Sequence, residues 1–543
     1  MENERMYKFM TPVEVWAKYD PTAEPLEMER IRTKTVENIT YETIYFTGFS
    51  VGDKKVRVFV KTARSAKSKG KKPTLLVAPP CSSKELDFSL FKSVLDEGYV
   101  LVAFDYEGKT ADKLRYTMYP KELSYCNKET AGIHMYHAEP SAHQTTWYNW
   151  SKIARRTITL LSELEYVDTD KVVMIGEGEG CPITWQVAAM DKRLKGACTV
   201  FGYNLRYEDG DTEERDCWVS GVDMRSYASY VNIPFLNVGA TNRADESFDT
   251  VLRIAENMKD KTEFFTDFAF GYGYGLSIKQ LKTLYTFLER VFAGEEFAVS
   301  PTLDVVANEE GELVAKVNCE SAKHAEVWYA YGSEPEKRLW KKVDCTKKNG
   351  VYTAKINLSI PDEILRLFGR VSYGKFSLCS SSKVVVPATI GVKCSEKRRT
   401  KVLFDAALDN NDMLPVSNSR ILPEKAVEIL EGAVGLKGVT TELEGLAYVK
   451  NPEVIIDFKT VENLQFEFYG KEERVLTVKL YMHGGKIYTA QKEIPGLDAW
   501  QRQTVNLTEF KDEANRKMIS WDGVWKIEIL GLNGALINKV LVI

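Results

Sequence analysis

The stretch Val172-Val173-Met174-Ile175-Gly176-Glu177-Gly178-Glu179-Gly180-Cys181 reads as a buried strand, a sharp turn and the start of a helix. Four apolar residues in a row suit a strand covered on both faces, as in a parallel sheet. Glycines at 176, 178 and 180 suit a turn in which backbone approaches backbone closely. Such a turn raises its apical side chain above the carboxyl edge of the sheet. Here the apex is Gly178, so the turn keeps its frame and presents no nucleophile.

Working outward, residues 1–297 alternate short β-branched runs with helical stretches, which predicts a doubly wound, mostly parallel α/β domain. Segments 41–49 and 55–62 predict a hairpin, 74–78 a central strand, and 100–104, 171–175, 197–201, 235–238 and 262–268 the strands that follow. Helical periodicity over 146–164 ends in the turn Val167-Asp168-Thr169-Asp170. From 298 the pattern becomes alternating strands with almost no helix: 313–317, 325–330, 352–356 and 367–372 predict an immunoglobulin-like β-sandwich over 298–388, with Trp328 and Trp340 in its core. A basic, polar linker, 389–400, leads to a third, all-β domain over 401–543, with strands at 454–458, 464–469, 476–482 and 525–530. A chain of 543 residues exceeds one hydrophobic core, in line with domains of about 100–200 residues each.

Lys and Arg (73) nearly balance Asp and Glu (77), giving a formal charge of -4, and no block of like charge marks a nucleic-acid or membrane surface. The start, Met1-Glu2-Asn3-Glu4-Arg5, is mixed in sign and no apolar run follows it, which points to a cytoplasmic protein. Nine scattered cysteines without a Cys-x-x-Cys pair read as reduced, mostly buried thiols. No pattern calls for a cofactor or a resident metal. The partners left open are a small molecule or saccharide and a second copy of the chain.

The segment from Trp147 to Gly202 resembles the acetyl-xylan esterase, cephalosporin deacetylase and dienelactone hydrolase group of the α/β-hydrolases. The residues that carry the resemblance are Trp147-Tyr148-Asn149-Trp150, the turn Val167-Asp168-Thr169-Asp170-Lys171, the glycine turn, and Trp185-Gln186-Val187-Ala188-Ala189-Met190-Asp191-Lys192-Arg193-Leu194-Lys195. The resemblance implies a catalytic serine at the elbow, an acid after a later strand and a histidine after the last strand. Carried onto this chain, the serine slot is Gly178 and the acid slot in Gly239-Ala240-Thr241-Asn242-Arg243 is Arg243, with Asp245 and Asp249 close by. The histidine slot, in Phe270-Gly271-Tyr272-Gly273-Tyr274-Gly275-Leu276, is Tyr274. The histidines of the first domain, His134, His137 and His143, all precede the elbow helix, so the family's base is missing along with its nucleophile. The loop expected to complete the oxyanion hole reads Pro79-Pro80-Cys81-Ser82-Ser83, and proline has no N–H to donate.

Several residues remain candidates for a relocated site. Glu177 and Glu179 flank the apex, where carboxylates suit a helix start and repel a developing oxyanion. Cys81 and Cys181 offer thiols without a visible base, Ser82 or Ser83 a displaced hydroxyl, and His134, His137 and His143 metal-ligating nitrogens. A vestigial pocket would gather Glu177, Glu179, Pro80, Cys81, Ser82, His143, Trp147, Asp245 and Tyr272 with the three altered slots. In the last domain, Trp500-Gln501-Arg502-Gln503-Thr504-Val505-Asn506-Leu507-Thr508-Glu509-Phe510 and Trp521-Asp522-Gly523-Val524-Trp525-Lys526-Ile527-Glu528-Ile529 resemble the closing strands of galactose-binding-like jelly rolls, which implies a glycan-binding or a packing module. Asp405, Asp409, Asn410 and Asp412 could hold a calcium ion there. The reading that follows is a catalytically inactive esterase-fold protein with a ligand-binding or scaffold role. Its alternatives are an active esterase on acylated saccharides with relocated residues, and a structural subunit.

Overall fold

The computed structural model describes every residue except 1–6, 82–84, 203–211, 244–247, 320, 394–397, 409–412 and 424–425. Nine strands form one sheet: β1 (Glu29–Val36), β2 (Ile39–Val51), β3 (Lys54–Ser65), β4 (Lys72–Ala78), β5 (Val100–Phe104), β6 (Val167–Glu177), β7 (Gly196–Val200), β8 (Phe235–Ala240) and β9 (Phe264–Ala269). Their spatial order is β1-β2-β3-β5-β4-β6-β7-β8-β9. Strands β5-β4-β6-β7-β8 pair in parallel, whereas β1, β2, β3 and β5 pair antiparallel. The parallel strands are buried on both faces, which is why their sequence reads as unbroken Val, Ile, Leu and Ala.

One strand went unforeseen and one expected turn needs correcting. Strand β1 lies wholly exposed at the sheet edge, and Glu-Arg-Ile-Arg-Thr-Lys-Thr-Val offers no buried face for an apolar alternation to report. Residues 167–170, expected as a turn, begin β6. Pairing with β4 jumps from Lys72↔Val167 to Thr74↔Val172, so 168–171 bulge out of register, and their polar composition reflects that bulge.

Helix α1 (Pro12–Trp16) is a short N-terminal turn, α2 (Thr146–Leu161) follows the histidine-bearing loop, and α3 (Gly180–Met190) leaves the elbow. The Thr145 hydroxyl caps α2 by accepting from the Tyr148 N–H at 3.2 Å. Trp147, Trp150, Ile153, Ala154, Ile158 and Leu161 make its buried stripe. Trp185 of α3 stacks on Phe235 of β8, with ring centres 3.9 Å apart. At the crossing of β6, α3 and β4 there is no room for side chains: a Cβ at Gly180 would run into the Ala78 carbonyl oxygen, and one at Gly176 into that of Gly180.

By compactness the chain divides into two units. One holds Met1–Val238, Asp245–Thr266 and Thr283–Ala298; the other holds Gly239–Ala244, Asp267–Lys282 and Val299–Ile543. The second unit therefore takes in the carboxyl ends of β8 and β9. Its first sandwich sets the strands Thr302–Ala307, Leu313–Asn318, Val351–Ile356 and Thr346–Lys348 in one sheet, and Lys341–Asp344, His324–Tyr331, Leu365–Ser372 and Ser377–Cys379 in the other. The C-terminal part again has two antiparallel sheets, one built around Asn463–Gly470 and Leu536–Val542, the other around Arg474–Met482 and Val524–Leu530. Strict alternation of buried residues along Asn463–Gly470 puts Leu464, Phe466 and Phe468 into the core between them. The strand expected over 454–458 shrinks to Val454–Ile455. Among the described residues no disulfide forms, and no helix is long and apolar enough to cross a membrane.

Two predictions follow from this packing. Gly180→Ala is expected to destabilise the protein by about 1–3 kcal/mol, because backbone rather than a flexible side chain must yield; a lowered denaturant midpoint at unchanged slope is the readout. The second concerns Lys152 of α2, whose ammonium lies 3.5 Å from the centre of the Phe49 ring and 5.5 Å from those of Tyr19 and Tyr148. Burial lowers its pKa from 10.5 to about 8. The unfolded chain keeps that proton to higher pH than the folded one, so the cost is full below about 8 and fades as pH rises towards 10.5. Lys152→Met should therefore gain about 1–2 kcal/mol at pH 7 and flatten the dependence of Tm on pH between 8 and 10 relative to wild type.

Candidate functional site

The elbow is built as its glycines require. Gly178 has φ +54°, the left-handed conformation that an apical residue adopts here and that glycine takes without strain. Glu177 ends β6 and is 2% exposed, so its carboxylate belongs to the interior and not to an open cleft. Glu179 is turned the other way. Its Oε2 accepts the backbone N–H of Cys81 at 3.1 Å, and its Oε1 accepts from the Lys128 ammonium at 3.0 Å. With Pro79 and Pro80 unable to donate, Cys81 carries the first N–H of the loop after β4, and this donor is already held by a resident anion.

The candidate thiols are not activated. Burial first, and then the negative charges of Glu179 and Glu107, push the Cys81 thiol well above its ordinary pKa. Its Sγ lies 3.9 Å from the Tyr106 hydroxyl, which itself donates to the Pro79 carbonyl. Cys181 is buried in the core, its Sγ 3.4 Å from the Gly176 carbonyl and 3.5 Å from that of Val200. Behind the loop, Asp105 and Glu107 at the end of β5 share the buried Lys113 ammonium, 2.5 Å from Asp105 Oδ1, and Asp105 also accepts the Thr117 N–H at 2.6 Å. This charged cluster was not legible as a site, because its three members are spread over a loop of unremarkable composition.

The three histidines serve local structure. His134 donates Nδ1–H to the Gln144 carbonyl at 2.9 Å and packs against Tyr125, with ring centres 4.2 Å apart. His137 pairs with Glu214. His143 donates Nε2–H to the Val15 carbonyl of α1 at 2.8 Å. Trp147, expected on a pocket wall, is 1% exposed, donates its indole N–H to the Met135 carbonyl at 2.9 Å and meets Trp150 edge-on; it is a core residue. Ser82, Ser83 and Asp245 lie outside the described residues, as do Asp409, Asn410 and Asp412. Asp405 is paired with Lys539 at 3.2 Å.

In the second unit the two residues expected at the acid and histidine slots lie together as a cation over a ring: the Arg243 guanidinium is 4.9 Å from the centre of the Tyr274 ring. Tyr272, whose hydroxyl pKa burial raises, accepts the Asn242 N–H at its carbonyl, 2.9 Å away. The surroundings of these loops are supplied by the β domains. Asn242 donates to the Arg338 carbonyl at 2.7 Å, and Phe270 stacks on Trp328 at 4.7 Å and meets Trp340 edge-on at 5.0 Å. Asp267, fully buried at the end of β9, takes two hydrogen bonds from Arg370, at 2.8 and 3.3 Å. Burial works against the Arg370 charge, and Asp267 more than restores it, leaving the guanidinium pKa above its ordinary value. Leu276 pairs in parallel with Ile421. Trp328, expected in the sandwich core, is half-buried and serves as the platform for Phe270; Trp340 is buried as expected.

Among the described residues, metal-ligand chemistry appears at a cluster that sequence reasoning missed. His324, Glu326 and Asp344 have potential ligand atoms within 4.8 Å of one another. They come together because Glu326 pairs across strands with Asp344, a relation that spacing in sequence does not reveal. Glu326 already accepts from Arg370 at 3.3 Å and from the Trp328 indole at 2.8 Å, so its charge is neutralised by protein donors.

The strand order, the parallel centre and the glycine elbow define an α/β-hydrolase fold, followed by β-rich domains. No family model and no curated protein matches the chain. Solved structures that resemble it include acetyl xylan esterase 1 from Thermoanaerobacterium sp., at 15% identity over 53% of this chain and 97% of that one, with a TM-score of 0.40. An acetyl xylan esterase from Paenibacillus sp. is 13% identical over 50% of this chain and 90% of its own, with a TM-score of 0.39. A glucuronoyl esterase from Solibacter usitatus is 12% identical over 52% and 92%, with a TM-score of 0.35.

The Asp267–Arg370 pair gives a test of how the second unit is held. Arg370→Met leaves a buried carboxylate without its bidentate partner and should cost about 3–5 kcal/mol in urea unfolding. Arg370→Met with Asp267→Asn should recover part of that loss, since the stranded charge is gone.

Proposed function

We propose that this chain is a catalytically silent esterase-fold protein that works by binding or by scaffolding. The observation that carries the reading is the Glu179 carboxylate on the Cys81 N–H. An oxyanion hole works by offering unoccupied donors where negative charge develops. Here the donor faces a carboxylate already, and an acyl oxygen entering that position would meet a like charge. The altered slots act in the same direction. Gly178 supplies no nucleophile, Arg243 and Tyr274 make no acid–base pair, and His134 and His143 spend a ring N–H on backbone carbonyls. Loss of nucleophile or base alone lowers turnover in a triad enzyme by about a millionfold. Ligand binding or scaffolding is the role left to such a fold, and the aromatic-rich loops carried into the second unit support it.

The test is hydrolysis of p-nitrophenyl acetate and acetylated xylooligosaccharides by the purified chain, run beside a serine-directed fluorophosphonate probe. Neither turnover nor labelling above a heat-denatured control is expected. Gly178→Ser is expected to stay equally silent, because it restores a hydroxyl and neither a base nor a free oxyanion donor. Turnover with a labelled peptide in the wild-type chain would establish an active esterase with a relocated nucleophile.

A further inference from the structure

A groove of about 590 Å³ opens on the antiparallel edge of the first unit, between the face of β1–β3, the segment 85–92 and Leu114–Arg115; no elbow residue lines it. Its volume falls in the range of about 300–1,000 Å³ typical of small-molecule sites. Its base is apolar. Phe59 of β3 is buried beneath it, and the Tyr41 ring of β2 lies parallel to Phe88, with centres 6.4 Å apart and planes 11° apart. Leu114 stands at the groove 83% exposed, a large apolar side chain with no core to join.

The rim is cationic. Arg32 and Lys34, two residues apart on β1, project to one face of the sheet, opposite Thr43 and Tyr41 of β2, which also line the groove. Lys92 and Arg115 add two more positive charges from the other side. These four are exposed and make no ion pair among the described residues. A fifth cation, Lys61, sits 3.3 Å from Glu85 and 5.7 Å from the centre of the Phe88 ring. The lining thus carries five cations against two carboxylates, Glu85 and Asp87, in a chain whose net charge is -4. Like charges gathered around an apolar hollow repel one another, and an anion seated among them relieves that repulsion.

We propose that this groove is a binding site for an organic anion with an aromatic or acyl body, the body lying on Tyr41, Phe59, Phe88 and Leu114 and the carboxylate, sulfonate or phosphate meeting the rim cations. Apolar contact supplies area and the rim selects the charge. The site stands apart from the elbow, so it is independent of whether the elbow is silent.

Two dyes that share a ring system separate the contributions: anilinonaphthalene sulfonate, and N-phenylnaphthylamine, which lacks the sulfonate. Fluorescence titration of the full chain should show one sulfonate dye bound per chain, about tenfold or more tighter than the neutral dye and weakening as salt rises. Lys34→Glu with Arg115→Glu should weaken the sulfonate dye about tenfold or more and leave the neutral one little changed. Leu114→Asp should weaken both. All three substitutions are at exposed positions, and unchanged thermal melting confirms that the fold is kept. Equal affinity for the two dyes, or sulfonate binding unaffected by the charge reversals, would overturn the proposal.

Discussion

The first unit is organised around a place where three pieces of backbone nearly touch. Where β6 turns into α3, the Gly180 backbone lies against the Ala78 carbonyl at the end of β4, and Gly176 lies against the start of α3. Nothing larger than hydrogen fits between them. This contact fixes the angle at which α3 leaves the sheet, the seat of Trp185 against Phe235, and the position of the loop after β4. It holds in a chain whose apex is Gly178, because the flanking glycines answer to packing.

Beside the apex lies a network of charge. Glu179, the residue just before α3, suits the helix start, and it also accepts from the Cys81 N–H and the Lys128 ammonium. A buried or half-buried N–H left without an acceptor costs free energy, and the Glu179 carboxylate supplies the acceptor for that of Cys81. The same logic runs through Asp105, Glu107 and Lys113 below the loop, where two carboxylates share one buried ammonium and the remaining acceptor capacity is met by backbone N–H groups.

The sequence made the parallel strands legible because burial on both faces leaves unbroken apolar runs, and it made the elbow legible because close backbone contact demands glycine. Residues 146–161 were legible as α2 from the spacing of Trp147, Trp150, Ile153, Ile158 and Leu161. Strand β1 was not, since an edge strand exposed on both faces carries no apolar period. Order along the chain suggests Gly178, Arg243 and Tyr274 for the triad slots, but it does not reveal what each side chain contacts. The Arg243–Tyr274 contact, the Glu179–Cys81 hydrogen bond and the His143–Val15 bond depend on loops meeting across long separations. Trp147 was misplaced for the same reason: an aromatic residue near a cleft and one in the core look alike until the Met135 carbonyl is seen to take its N–H.

The ends of β8 and β9 are held by contacts within the second unit. In a working triad enzyme these loops must hold an acid and a histidine in register and leave a path for substrate. In this chain Asp267 is buried against Arg370, Phe270 stacks on Trp328, and Leu276 pairs with Ile421. Each of these contacts belongs to the second unit. A fully buried carboxylate on a largely buried guanidinium, with an aromatic stack nearby in the same unit, is costly to break because removing either partner strands a charge away from water.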